Sequence, residues 1–408
     1  MDERQAELLV ERLIRRIEQA NIYFLNKIGS SIKKIRELTP TQAQQLVQIL
    51  KYGGTYEDII RQIAKYTNLN IKDIDEIFSS YAKKDQQFYK QFYQYRNIPF
   101  VPFEENTALK MQTKALSNIV KNEMYNFTRN NVLGYTIRDL KGKVQFLGLR
   151  ETYNRVLDEA LLNVGQGKET FDDAMNKIMT DIGGSGLKTI EYESGRSIRL
   201  DSAVRMHLKS RLRELHNENQ QLFGEEFGAD GVEVSVHLNP ADDHAEVQGK
   251  QFTIEEYRKL QTTGVAKDVK GRIIDITTKY GFRPISELNC YHYVFSIIVG
   301  VSKPEYDDKQ LKQIMKTNDK GFKFEGKHYS LYDGQQLLRK VELELRKSKD
   351  IQILARSSNN IELVEKMQNR ITQLTNKYKD ILKASGLKSK LERAKIAGYH
   401  RININKIK

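Results

Sequence analysis

Cysteine occurs once in this chain of 408 residues, tryptophan not at all, and proline only six times. A single cysteine excludes an intrachain disulfide framework and predicts folding in a reducing compartment. No apolar run approaches the roughly 18–20 residues that cross a bilayer, so no membrane partner is expected. The opening stretch MDERQAELLVERLIRRIEQ alternates acids with bases. It lacks the cationic-then-apolar order of a secretory signal, which predicts synthesis in the cytoplasm. No Walker loop, Rossmann glycine fingerprint, nucleophile elbow or HExxH occurs, and IGGSGLK and GVSKPEY are too poor in glycine to cradle a nucleotide.

Positive charge is abundant instead. Lys and Arg number 67 against 53 Asp and Glu, a formal net charge of +14. Such an excess calls for an anionic neighbour, nucleic acid first, or reflects lysine-rich coding with no partner implied.

Periodicity predicts an α+β protein, predominantly helical, in four regions. Residues 1–105 read as helices: Leu9, Leu13, Ile17, Ala20, Phe24 and Ile28 recur at three- and four-residue steps. TPTQ supplies a helix start, with Thr39 as N-cap, Pro40 in the first turn and Gln42 closing the box. The aromatic tract QQFYKQFYQYRNIPFVPF is read as packing material ahead of a base-stacking platform. Helices continue over 106–226, broken at IGGSG, and include a basic helix over 196–219. There Arg205, Lys209 and Arg213 run beside an apolar stripe of Val204, Leu208, Leu212 and Leu215, as on a phosphate-facing helix or an ordinary solvated one.

The period changes to two at VEVSVHL, opening a small β-rich insert over 227–331. Val232, Val234, Val236 and Leu238 share one face, and Glu233, Ser235 and His237 the polar one. Thr253 and Glu256 form a capping box for a following helix. GRIIDITTKYGF reads as a strand or hairpin, NCYHYVFSIIVG as a strand, and FKFEGKHYSL as a hairpin turning at Glu325-Gly326-Lys327. The last region, 332–408, begins with a helix. In the next helix Val364, Met367, Ile371, Leu374, Tyr378 and Ile381 make a seam, read as an intramolecular hairpin with the preceding helix. The basic tail, with Lys388, Lys390 and Arg393, reads as a loosely ordered electrostatic arm.

HLNPADDHAEVQGK and NCYH hold three of the seven histidines and the lone cysteine. Alternation sets Cys290 and His292 on one strand face, about 6–7 Å apart at the backbone. Should that strand neighbour the one ending near His237, then His237, His244, Cys290 and His292 form a zinc-type ligand set. The short HAE is like the His-x-Glu of zinc deaminases, but those need a later pair of cysteines and this chain has one, which speaks against a deaminase. Three readings stand: a polar network that closes the turn with Gln248 and Asn289, a zinc site, and a Cys–His catalytic pair. The first is favoured, no cofactor is required by it, and no residue is assigned a catalytic role.

Taken in order, YESGRSIRLDSAVRMHLKSRLRELHNEN, VEVSVHLNPADDHAEVQGKQFTIEEY, ELNCYHYVFSIIVGVSKPEY, LYDGQQLLRKVELELRKSKD and GLKSKLERAKIAGYHR resemble the phage minor capsid protein 2 family. That family is related to the portal-associated minor head proteins of tailed phages. The resemblance implies marked polar positions at His237, His244, Gln248, Gly249, Asn289, Cys290 and His292. The chain departs from the pattern at Tyr291, where Arg is usual, at Val247, where Trp is typical, and in the glycine-poor approach to Asn289.

What the resemblance implies is a structural minor head protein made in the bacterial host's cytoplasm and housed in the virion, inside the capsid near the portal. It would act in head morphogenesis and in DNA packaging or delivery. Its expected partners are the portal protein, reached through residues 1–105, scaffold or major capsid protein, and packaged double-stranded DNA facing Arg205, Lys209, Arg213, Lys388, Lys390 and Arg393. The alternative is a metal-dependent hydrolase, nuclease or toxin-like effector delivered with the genome, centred on His237, His244, Glu246, Cys290 and His292.

Overall fold

The computed structural model describes residues 3–400, apart from 68–70, 130, 140, 192–193, 238, 280, 287–289, 291 and 397–398. For residues 3–9, 12, 71 and 72 it describes the backbone alone. The fold is α+β and predominantly helical. Five helices come first: α1 (Glu3–Arg36), α2 (Pro40–Tyr52), α3 (Thr55–Thr67), α4 (Ile71–Arg96) and α5 (Thr107–Thr128). A hairpin of β1 (Leu133–Arg138) and β2 (Val144–Gly148) leads into α6 (Leu149–Asn163) and α7 (Lys168–Ser185). Then follow β3 (Lys188–Ile190), β4 (Ser197–Arg199) and the long α8 (Leu200–Phe227). The β-rich stretch holds β5 (Gly231–Val234), β6 (Gln251–Thr253), α9 (Ile254–Thr263), β7 (Val265–Lys267), β8 (Ile273–Asp275), β9 (Thr277–Thr278), β10 (Gly281–Phe282) and β11 (Val294–Ile297). The chain ends with α10 (Asp308–Lys320), the hairpin β12 (Phe322–Phe324) and β13 (Lys327–Tyr329), and the pair α11 (Leu331–Ser357) and α12 (Ile361–Ser385).

Local signals act where expected. The Thr39 side chain accepts from the Gln42 N–H while the Gln42 Oε1 accepts from the Thr39 N–H, and Pro40 opens α2. Thr253 caps α9, but Glu256 does not close a box: its Oε2 accepts from Lys267 N–H at 2.6 Å and so fastens α9 to β7. In α1, Leu13, Ile17, Ala20, Phe24 and Ile28 are all buried, while the side chain of Leu9 lies outside the described part. Burying each of the larger four, Ala20 apart, contributes about 1.5–3 kcal/mol. The aromatic tract packs: Tyr89 is fully buried, with ring centroids 5.3 Å from Phe223 and 6.2 Å from Phe227 of α8.

One apolar core runs from Val10 to Val364, drawing on α1 to α8, α11 and the start of α12. Within it, α7 crosses α11 so closely that a Cβ on Gly183 would lie 2.7 Å from the Ile351 backbone. Gly183 and Gly184 lie inside α7, and the expected break comes at the third glycine of IGGSG: the helix ends at Ser185 with Gly186 as its cap at φ +63°. A buried ionic cluster holds α8 and α11 to α1 and β4: Arg199 reaches Asp350 at 3.0 Å, Arg346 pairs with Asp201, and Arg205 pairs with Glu11 at 2.9 Å.

The region 106–226 is not wholly helical. It contains a four-stranded antiparallel sheet in the order β2-β1-β3-β4. Leu133, Tyr135 and Ile137 alternate inward on β1 and enter the main core. The basic helix begins at Leu200 and extends to Phe227, not 196–219.

A second core, Val234, Val247, Phe252, Leu260, Ala266, Ile274, Ile276, Ile285 and Val294, belongs to the β-rich stretch. Its main sheet has the order β11-β5-β6, with Val294 opposite Val234 and Phe252 opposite Val232. Glu233, expected on an outer polar face, is buried, with its carboxylate bonded to Gln251 Nε2 and the Glu305 N–H. The sheet leans on α8: the Ser296 N–H and hydroxyl bond to Gln220 Oε1 and O, and His216 joins Asp85 of α4 at 2.9 Å to the Val294 carbonyl at 3.1 Å.

A third core joins β12 and β13 to α11 and α12. The helix pair is an antiparallel hairpin, with Val364, Ile371, Leu374, Tyr378 and Ile381 buried and Met367 packed beside them. The following tail does not hang free through Ile396. Leu391–Ala394 form a short 3₁₀ turn, Ala394 and Ile396 are buried, and the Tyr378 hydroxyl accepts from Lys390 N–H at 2.9 Å. Residues 401–408 lie outside the described part.

Candidate functional site

Strand pairing creates the site. β5 and β11 are antiparallel neighbours, and their ladder stops at Val234 and Val294. Beyond it the chains remain tied, since Ser235 N–H donates to the Tyr293 carbonyl and Tyr293 N–H to Ser235 Oγ. His237, Cys290 and His292 thus stand past the strand ends, on irregular backbone, where the sequence predicted regular strand. Leu238, Asn289 and Tyr291 lie outside the described residues.

The polar turn folds back on these ends. Gln248 is buried, and its Oε1 accepts the His237 N–H at 2.8 Å while its Nε2 faces the Met315 sulfur at 3.7 Å. Gly249, at φ +62°, donates its N–H to the Val234 carbonyl at 2.8 Å. Asp242–His244 form a single 3₁₀ turn that carries the His244 ring inward. Its Nε2 lies 2.7 Å from the Arg283 carbonyl, and the Arg283 guanidinium grips Asp243 by two bonds of 3.0 and 3.2 Å. Gln261 of α9 fixes the next stretch through both backbone groups of Ile285.

Cys290 is the meeting point. Its sulfur lies 3.4 Å from His244 Nδ1 and 3.4 Å from His292 Nδ1, and it accepts the His292 backbone N–H, also at 3.4 Å. The three side chains are 2%, 1% and 1% exposed for Cys290, His244 and His292. Among the described residues, they are the group of three or more His, Cys, Asp or Glu whose ligand atoms, all within 4.8 Å of one another, could hold a metal. His237 is half-buried outside this trio, its ring centroid 4.4 Å from that of His292.

Electrostatics couples the three. Burial pushes the Cys290 thiol up, but the bond and charge of His244 and the backbone N–H groups of His292 and Ser286 outweigh it and leave the thiol below its ordinary value. Burial likewise lowers His244, yet Cys290 and the Arg283 carbonyl raise it on balance. His292 is held well below the usual imidazole range by burial, then by His237 and His244. Thiolate character at Cys290 is therefore favoured, but with the sulfur buried it is closed to a macromolecular substrate in this arrangement. Glu246, placed in the enzymatic alternative, is exposed and lines a separate cavity of about 500 Å³ with Lys250, Arg272 and Asp308.

The basic positions converge elsewhere. Arg205, Lys209, Arg213 and Arg393 line one cavity of about 310 Å³, joined by Arg339 and Arg346 of α11, with Glu342 opposing them. Arg213 is buried and Arg205 carries its Glu11 partner, so the row on α8 is not an outward stripe; it turns into a cleft against α11. Lys388 and Lys390 line a second cavity of about 470 Å³ that His237 and Asn239 close from the other side. The Arg339–Arg346 pair was not singled out from sequence, although a seven-residue spacing on one helix face was available to suggest it.

The chain matches the family described as phage minor capsid protein 2 over residues 1–383. No curated protein and no solved structure matches it. Among the described residues no helix is long and apolar enough to cross a membrane.

Proposed function

Because the chain belongs to the phage minor capsid protein 2 family, and is thereby a structural protein of the virion, we propose that it docks on the portal ring and lies beside packaged DNA, serving head morphogenesis. The family match over residues 1–383 carries this reading. Support for portal docking comes from the first third of the chain. Ile49 and Tyr52 on α2, Tyr95 at the end of α4, and Met111 and Tyr125 on α5 are large apolar side chains left largely exposed on an otherwise polar surface. Exposed apolar side chains of this size are what a protein partner would cover. Support for the DNA half comes from the net charge of +14 and the cationic cleft between α8 and α11.

Co-expression with the portal protein of the same phage tests the docking. A stable complex is expected to survive size exclusion, and a Tyr52→Glu/Met111→Glu variant with unchanged circular dichroism is expected to release the portal. A purified pair that never associates overturns the portal assignment.

A further inference from the structure

The trio at the end of the β5–β11 ladder brings one sulfur and two imidazole nitrogens together away from solvent. The Cys290 sulfur faces an imidazole Nδ1 at 3.4 Å on each of two sides. The His244 Nε2, 2.7 Å from a backbone carbonyl, must carry the ring proton there, which turns the Nδ1 lone pair toward sulfur. His292 has no such anchor: its Nε2 is buried and without a hydrogen-bond partner. If the His292 proton is on Nδ1, the Nε2 lone pair is stranded; if it is on Nε2, a buried N–H is stranded. Either tautomer leaves an unsatisfied polar atom in a side chain that is 1% exposed, and a cation on Nδ1 selects the second, with the proton on Nε2.

A divalent cation fits the same atoms. Zinc bonds of about 2.0–2.1 Å to nitrogen and about 2.3 Å to sulfur, at tetrahedral angles, put ligand nitrogen and sulfur about 3.5 Å apart. Both nitrogen–sulfur distances here are 3.4 Å, and all three ligand atoms lie within 4.8 Å. At His244 and Cys290 the surroundings are those of metal ligands. The His244 N–H sits on a backbone carbonyl, as metal-bound imidazoles require. The Cys290 sulfur accepts the N–H of the residue two positions on, which stabilises a thiolate.

We propose that His244, Cys290 and His292 bind one zinc ion, which pins the NPADDH turn and the 283–286 segment to the end of β11. Cys290 binds as the thiolate, its proton passing to solvent, and the two imidazoles bind neutral. Two imidazoles and a thiolate select zinc over magnesium or calcium, which take oxygen ligands. Three protein ligands leave a fourth position for water. His237 stands beside His292 and lines the 470 Å³ cavity.

The test uses the full chain, purified without chelator from zinc-supplemented medium. Elemental analysis is expected to find about one zinc per chain, and cobalt added to chelator-stripped protein should give a thiolate-to-cobalt charge-transfer band and tetrahedral d–d bands. Chelator is expected to lower Tm, and zinc to restore it. Cys290→Ser should abolish the charge-transfer band, His292→Ala should drop zinc at least tenfold, and His328→Ala, at an exposed histidine on β13, should leave zinc unchanged. The cobalt spectrum of the unsubstituted protein needs no variant to fold. No zinc with no cobalt bands, or zinc kept in full by a Cys290→Ser/His292→Ala variant with native circular dichroism, overturns the proposal.

Discussion

Gly249 shows how much one missing side chain decides at the turn. Its φ of +62° is open to glycine and strained for other residues, and a Cβ there would lie 2.7 Å from Leu311 Cδ2 and 3.0 Å from Val236 Cγ2. Gly249→Ala is expected to destabilise the protein by about 1–3 kcal/mol, measured as a lower urea midpoint at unchanged m value. The residue was marked in the sequence only through resemblance to a family; nothing in its spacing announces a positive φ. The His244, Cys290 and His292 grouping was partly legible. Alternation placed Cys290 and His292 together, and the pairing of β5 with β11 completed the neighbourhood. The roles of the Arg283 carbonyl and the Ser286 backbone N–H were not legible, because the position of backbone atoms depends on the fold.

Helices were the readable elements, since caps and apolar stripes are local. Thr39 with Gln42, and the α12 seam from Val364 to Ile381, needed no partner to be identified. The sheet at β1 to β4 was missed although Leu133, Tyr135 and Ile137 alternate, because its strands are short and β1 finds β3 some fifty residues later. One joint between elements yields a pH prediction. Glu123 of α5 receives Arg211 and His207 of α8. Burial alone would raise its carboxyl, but the bonds from His207 and Arg211 bring it from 4.5 to about 2. A folded value below the unfolded one means that this contribution is complete above pH 4.5 and is lost as pH falls toward about 2. Glu123→Gln is therefore expected to cost about 1–2 kcal/mol at neutral pH and to flatten that part of the acid-unfolding profile, followed by circular dichroism in urea.

For the whole molecule, charge placement matters more than its total. The proposed contact with DNA draws on a cleft, so its strength should follow salt steeply. Replacing Lys209, Arg339 and Arg393 with Gln is expected to reduce the slope of log K against log salt by about one for each phosphate that is no longer neutralised, measured by anisotropy with a duplex of random sequence. An unchanged slope assigns DNA to another face. The main core also closes a circle: α1 packs on α8 and α11, and Ile351, Leu354 and Val364 share its interior with Leu13 and Phe24. Helix α1 is thus covered by helices translated long after it. Until residue 364 has been translated, α1 has no complete partner within its own chain, so its apolar face stays open while the segments between are made.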